Sequence, residues 1–271
     1  MDIPFVQIDA FATQPFEGNQ ACVMPLQAWL PDDVLQKIAA ENNVAETAFL
    51  VPDGEARWGL RWFTPAVEVP LCGHATLAAA HYLYHHGGAP HQKLTFQTRH
   101  SGALWVEPGT EGRLVMDFPA APIQPIKIED DIVQALGARP MRAYGGSFYA
   151  AVFDTVDEVL GLTPDYKALA QLGVQEAGWE RGNFGCLAPG GDGVDVTSRF
   201  FAPGSGIDED PATGSWHCML APIMDDLTGK KSLTCFQAYP TRGAYIETER
   251  RDDRVKLKGR SVTVIEGVFK L

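Results

Sequence analysis

Arg61-Trp62-Phe63-Thr64-Pro65, followed after six residues by Cys72-Gly73-His74-Ala75-Thr76, decides the fold, because the chain carries the same pattern twice. Arg199-Phe200-Phe201-Ala202-Pro203 leads after six residues to Asp210-Pro211-Ala212-Thr213-Gly214-Ser215, at a constant offset of 138. Each copy reads as a strand that passes through a Gly/Thr-rich turn into an apolar, small-residue helix. Two related halves follow. The first backbone N–H groups of a helix have no internal partner and carry partial positive charge, so each turn suits a carboxylate or a developing enolate. Two such turns facing each other would form an anion site between the halves.

Outward from the first copy, strands dominate. Phe5 to Phe11 alternates with period two, Ala21 to Met24 is a second strand, and Pro15-Phe16-Glu17-Gly18-Asn19 supplies a turn between them. Pro31-Asp32-Asp33 starts an amphipathic helix, with proline and acids at its N-terminal turn. Ala48 to Val51 and Trp58 to Phe63 read as strands, and the helix from about Ala75 stops at Gly87-Gly88. Strands resume at Leu94-Thr95-Phe96, Ala103 to Val106 and Leu114 to Phe118. Pro119, Pro122 and Pro125 then mark the crossing between lobes, 1–120 and 121–271, with the C-terminal segment able to return to the first lobe. In the second lobe, helices are expected over Ile128–Leu136 and Asp165–Leu172, and strands over Tyr149–Phe153, Gly185–Ala188 and Asp195–Phe201. Pro222 is expected to kink the second repeat's helix.

Composition narrows the function classes. A chain of 271 residues with 45% hydrophobic content can bury one or two cores of ordinary domain size. A formal charge of −12, without a long basic cluster, argues against nucleic acid or an anionic membrane as partner. Five cysteines, an odd number with no C-x-x-C pair, suit a reducing cytoplasm rather than a disulfide scaffold. The N-terminus lacks the charged and apolar regions of a secretion signal, and no apolar run reaches membrane-spanning length, so a cytoplasmic protein is expected.

Asp9-Ala10-Phe11, Gly18-Asn19, Glu41-Asn42-Asn43-Val44-Ala45-Glu46-Thr47-Ala48-Phe49, Arg61 to Pro65 with Glu68-Val69, Leu71 to Ala78, Asp210 to Ser215 and Gln237 to Gly243 together resemble the PhzF family of phenazine-biosynthesis isomerases. The resemblance runs from about residue 5 to about 268, in order and at the family's spacing. It implies an α+β, diaminopimelate-epimerase-like fold: two pseudo-symmetric lobes, each a curved, mostly antiparallel sheet wrapped around a central helix, with the active site in the cleft. It further implies isomerisation without a cofactor, a small carboxylate-bearing substrate, and commonly a homodimer. On the family's pattern Glu46 is the acid/base, His74, Asp210 and Ser215 surround the substrate, and Gly73 and Gly214 lie at the helix-opening turns. Pro70 and Gln20 depart from the common pattern, where an acidic residue and a proline often stand.

The residues permit that chemistry. A carboxyl group in an apolar setting, such as Glu46 before an apolar strand, is suited to proton abstraction, although the same residue could be a solvated loop glutamate. His74 at a helix start tends toward neutrality and could relay or polarise, or simply cap. Asp210 and Ser215 are also ordinary helix-cap residues, and Asp210 could hold His74 in one tautomer or share a proton with Glu46. Asn19 either faces substrate or serves its turn. Racemases of this fold place one cysteine on each half; at the offset of 138 the residue opposite Cys72 is Asp210, so a two-thiol racemase is not expected. An amino-acid racemase or epimerase of another kind, or a catalytically silent binding protein, are the alternative functions. His81 and His85, four apart, lack a third ligand in the sequence, and Gly190-Gly191-Asp192-Gly193 lacks the setting of a nucleotide fingerprint, so neither metal nor nucleotide is expected.

Overall fold

Strand-forming runs broken by Gly, Pro and Asn give a chain dominated by β-structure, and the computed structural model describes residues 1–89, 91–173 and 181–271 of it. It divides into two units, Met1–Asp117 with Lys258–Leu271, and Phe118–Leu257.

The first unit contains β1 (Asp2–Ala10), β2 (Asn19–Pro25), α1 (Asp32–Asn42), β3 (Glu46–Pro52), β4 (Arg57–Phe63), β5 (Glu68–Val69), α2 (Gly73–His85), β6 (Leu94–Thr98), β7 (Ala103–Pro108) and β8 (Leu114–Pro119). β1 pairs antiparallel with β2, β2 runs parallel to β3, β3 antiparallel to β4, β4 parallel to β6, and β6 antiparallel to β7. The α2 sequence is alanine-rich and apolar on all sides. It is accordingly buried from His74 through Ala80 and again at Tyr82 and Leu83, as a helix enclosed by its sheet must be. α1 is amphipathic and buries only Leu35, Ile38 and Ala39, which pack with Ile3, Met24, Phe49 and Phe63. Its end explains the Glu41-Asn42-Asn43 run. Asn43 takes the left-handed conformation (φ 49°) and donates its N–H to Ala39, while the Asn42 side chain reaches Thr47 Oγ1 at 3.1 Å, one residue past Glu46.

The second unit contains β9 (Gln124–Ile126), α3 (Asp130–Leu136), β10 (Arg142–Gly145), β11 (Tyr149–Val152), α4 (Val156–Leu160), α5 (Tyr166–Leu169), β12 (Phe184–Pro189), β13 (Val196–Phe201), α6 (Gly214–Thr228), β14 (Ser232–Tyr239) and β15 (Arg242–Arg251). β16 (Arg254–Gly259) leads to β17 (Ser261–Lys270), which pairs antiparallel with β1 and belongs with it to the first unit. Side chains alternate across the strands, and both faces are covered. Ala150, Val152, Leu187 and Phe200 face Trp216, Leu220 and Ile223 of α6; Tyr149, Ala151, Cys186 and Phe201 meet Ile132, Leu136, Val159 and Leu169 of the short helices. Gly185 in β12 lies directly under Trp216: a Cβ there would stand 2.2 Å from the buried indole. Gly185→Ala is therefore expected to cost about 1–3 kcal/mol by overpacking, read as a lower urea midpoint at unchanged slope.

Two expectations need adjustment. The helix foreseen over Asp165–Leu172 is a single turn, Tyr166–Leu169, capped by Asp165 and followed by turns into Gly173 at φ +97°. The proline-rich crossing contains a short strand, β9, in which Pro125 sits opposite Tyr144; a short strand tolerates proline where no donor is needed. Pro222 lies inside α6, which continues through it. Proline supplies no N–H to the Cys218 carbonyl four residues back, and that carbonyl accepts instead from Ala121 at 3.0 Å.

The internal repeat is real in topology, but its register is not constant. In the second unit β11–β12 is parallel, β12–β13 antiparallel, β13–β14 parallel and β14–β15 antiparallel, the same series that runs from β2 to β7. Phe63 pairs with Glu68, and Phe201 with Glu209. Each glutamate takes a bidentate guanidinium: Arg61 Nε and Nη2 donate to Glu68 at 2.7 and 2.7 Å, and Arg199 Nε and Nη2 to Glu209 at 2.7 and 2.8 Å. α2 begins at Gly73 and α6 at Gly214, so beyond the strands the offset is 141. Three extra residues fall in the 3₁₀ turn region after Pro203. The counterpart of Cys72 is thus Thr213, not Asp210 as the constant offset suggests, and the counterpart of His74 is Ser215.

Candidate active site

Asn19, Glu46, Gly73 and His74 meet in the first unit because three chain segments end at one place. Gly18, at φ +60° with Ala10 O only 2.0 Å from where a Cβ would be, lets β2 start hard against β1 and so positions Asn19. Parallel pairing sets Glu46 beside Ala21 at the start of β3. Gly73 opens α2, with Cys72 as its N-cap, and puts His74 in the first turn.

His74 is the hub. Its Nε2 is 2.8 Å from Glu46 Oε2, its Nδ1 is 3.3 Å from the Asn19 amide nitrogen, and Cys72 Sγ lies 3.5 Å from Nδ1 and 3.9 Å from Nε2. His74 and Cys72 are buried and Glu46 is half-buried, so these polar contacts form in a largely dry setting. Glu46 Oε2 has no hydrogen-bond partner among the described residues, so its 2.8 Å approach to Nε2 is a charge contact. With an amide nitrogen facing it, Nδ1 accepts; turning the Asn19 amide would let Nδ1 carry a proton as well. Burial opposes charge on this imidazole, but the negative charges of Cys72 and Glu46 outweigh it and raise His74 well above the usual histidine value. Burial, with Glu46, pushes the Cys72 thiol up as well. Glu46, Cys72 and His74 also present donor atoms within 4.8 Å of one another. His81 and His85 lie elsewhere: His81 Nε2 contacts Thr263 Oγ1 at 3.1 Å, and the His85 ring lies against that of His81 at a tilt of 40°.

The second unit gathers Asp210, Gly214 and Ser215 at the start of α6. The hydroxyl of Thr213, the N-cap, donates to the Asp210 carboxylate. The sequence reading gave Gln237 no role, yet it braces this bend: its Nε2 donates to Asp210 O at 2.6 Å and its Oε1 accepts from Thr213 N–H at 2.9 Å. A buried glutamine on a strand just after the helix was the available signal. Neither Cys72 nor Thr213 caps its helix with its side chain, which leaves the first-turn N–H groups of α2 and α6 without that internal competitor. Within the first unit, His74's carboxyl neighbour is Glu46.

His217, at the register of Thr76, repeats its bond. Thr76 Oγ1 donates to the Cys72 carbonyl at 2.6 Å, and His217 Nδ1 to the Thr213 carbonyl at 2.9 Å. Burial holds His217 down at about 4, against 6.5 for a free imidazole. The unfolded chain therefore binds a proton first as pH falls. Stability is expected to drop between about 6.5 and about 4, by about 3 kcal/mol from this residue, and His217→Asn should flatten that part of a pH-dependent urea series. His74 acts in the opposite sense: its contribution is complete below about 6.5 and is lost as pH rises through its higher folded value.

A family model described as phenazine biosynthesis-like protein, PhzC-PhzF, matches residues 8–267. The chain belongs to the PhzC-PhzF family. Over 272 residues it is 44% identical to a protein of Pseudomonas aeruginosa named as an uncharacterized isomerase, with all of both chains covered. A crystal structure of a PhzF family protein from Enterococcus faecalis superposes with a TM-score of 0.92 at 37% identity, covering 100% of both chains. A predicted epimerase from Pseudomonas aeruginosa shares the fold at 21% identity, with a TM-score of 0.72 over 98% of this chain and 99% of that one. The PhzF-type, diaminopimelate-epimerase-like α+β fold is thereby established for this chain. No helix of the described residues is long and apolar enough to cross a membrane.

Proposed function

We propose that this PhzC-PhzF protein is an isomerase that moves a proton on a small carboxylate-bearing substrate by acid/base catalysis, without a cofactor. The observation that carries the proposal is the 2.8 Å contact between His74 Nε2 and Glu46 Oε2 at the uncapped start of α2. Glu46 takes a proton from one carbon and returns it to another. His74 holds the carboxyl group in place through Nε2, and Asn19 fixes the ring's tautomer through Nδ1. The backbone N–H groups at the start of α2, opened by Gly73, hold the substrate's anionic group and stabilise enolate-like charge as it develops. The names of relatives as isomerases support the reaction class. A racemase working through paired thiols is not favoured, because Thr213 stands where the second cysteine would be.

The test is exchange in heavy water. Dihydro-hydroxyanthranilate and related cyclic or amino-acid-derived carboxylates are incubated with the protein, and mass spectrometry follows deuterium at carbon. Catalysed exchange with a shifted double bond supports the isomerase. Exchange with inversion at a stereocentre identifies an epimerase, and binding without exchange identifies a silent binding protein.

A further inference from the structure

Ile265 and Val268 of β17, and Leu271 just beyond it, are 47%, 55% and 50% exposed, and Glu266, Gly267 and Lys270 are exposed with them. β17 pairs with β1 in unbroken register from Asp2↔Lys270 to Gln7↔Ile265. Met1 and Leu271 exchange both backbone hydrogen bonds. In an antiparallel ladder such pairs alternate with pairs that exchange none, so Phe269, Gly267 and Ile265 bond to β1, whereas Lys270, Val268 and Glu266 turn their N–H and C=O groups the other way, toward the edge at which the strand is exposed. An apolar edge of this kind, without proline, is a template for a further strand. We infer that β17 docks on β17 of a second copy of this chain, antiparallel and centred on Val268, continuing the first unit's sheet across a two-fold axis.

The sequence of β17 is complementary to itself in that register. Val268 meets Val268 of the second copy and Glu266 meets its Lys270, both as hydrogen-bonded pairs built from the outward-turned groups. Symmetry repeats each match, so both charge pairs across the axis are of opposite sign. Lys270 already holds the Asp2 carboxylate beside it on β1, and Glu266 of the second copy completes a row of alternating charge. On the other face Gly267 meets Phe269, and a Cβ at Gly267 would have no atom within 4 Å, so the glycine leaves room for an aromatic ring to lie over it. Ile265 meets Leu271 at both ends. Centring one residue to either side sets Glu266 or Lys270 opposite Val268, and centring two residues away sets like charges opposite each other. The register on Val268 avoids both.

The experiment is the mass of the full chain in solution, by light scattering over a concentration series, and its outcome is independent of whether the protein is an isomerase. Twice the chain mass is expected. Val268→Lys sets two cations opposite each other on the axis and should raise the dissociation constant of the dimer by about a hundredfold. Glu266→Lys and Lys270→Glu should each weaken the dimer alone, and an equimolar mixture of the two variants should form a heterodimer, in which every opposed pair is again of unlike sign. Val268→Cys supplies a direct reading of the register: the Cα atoms of a hydrogen-bonded pair lie about 5.5 Å apart, within disulfide range, so mild oxidation should link the two copies. A monomer at every concentration, a dimer indifferent to Val268→Lys, a mixture no tighter than either charge variant, or a Val268→Cys dimer that does not cross-link would overturn the assignment.

Discussion

Glu46→Gln is expected to keep the fold and lower turnover by about 10²–10⁴-fold, the range that a positioned acid/base contributes. The amide has the shape of the carboxyl group and can occupy its place against His74 Nε2, 2.8 Å away, so the cluster keeps its geometry. What it loses is the capacity to take up and return a proton. The near-ultraviolet circular dichroism and the melting temperature should therefore stay close to those of the unaltered protein while exchange from carbon collapses. Loss concentrated in kcat, rather than in KM, would place the effect in the transition state, as the proposed role requires. Unchanged turnover would remove Glu46 from the mechanism.

Glu209→Ala is the largest stability effect expected, about 3–5 kcal/mol. Arg199 and Glu209 are both buried, with side-chain exposures of 9% and 4%, and their two parallel hydrogen bonds join β13 to the residue that leads into the α6 bend. Arg199 Nη1 also donates to Leu162 O at 2.8 Å, and its guanidinium lies 4.7 Å from the centre of the Phe201 ring. Deleting the carboxylate strands this cation where water cannot reach it. The repeat supplies an internal control. Glu68→Ala removes the matching carboxylate from Arg61, but Arg61 keeps Asp32 at 2.9 Å, and Asp32 is largely exposed. Its cost should be less than half as large. Urea midpoints of the two variants at equal slope decide the comparison, and equal costs would show that burial of the second pair is not what matters.

The repeat was the most legible feature of the chain, since Arg-aromatic-Phe strands and Gly-opened helices are local patterns with strong periodicity. Its register was not legible. Three additional residues after Pro203 leave the visible spacing between Pro203 and Asp210 equal to that between Pro65 and Cys72, and only the pairing of Phe201 with Glu209 shows that the true counterpart of Cys72 is Thr213. Glu46 and His74 could be named from the sequence because they lie in distinctive runs, and the structure brings them into contact. Asn19's contact with His74 depends on the β1–β2 register, a long-range property that a turn motif does not encode. Gln237 was passed over for a related reason: its three bonds to the Asp210–Thr213 bend span more than twenty residues of chain. The short strands β9 and β10 were hidden by proline and by their brevity, since three or four residues give too little alternation to read.

The most direct measurement is a crystal structure of the protein with a bound cyclic carboxylate that exchanges deuterium or inhibits that exchange. The account predicts a ligand carbon about 3–3.5 Å from a Glu46 carboxyl oxygen, with the ligand's carboxylate on backbone N–H groups at a helix start. A ligand seated away from the Glu46–His74 pair, leaving it untouched, would contradict it.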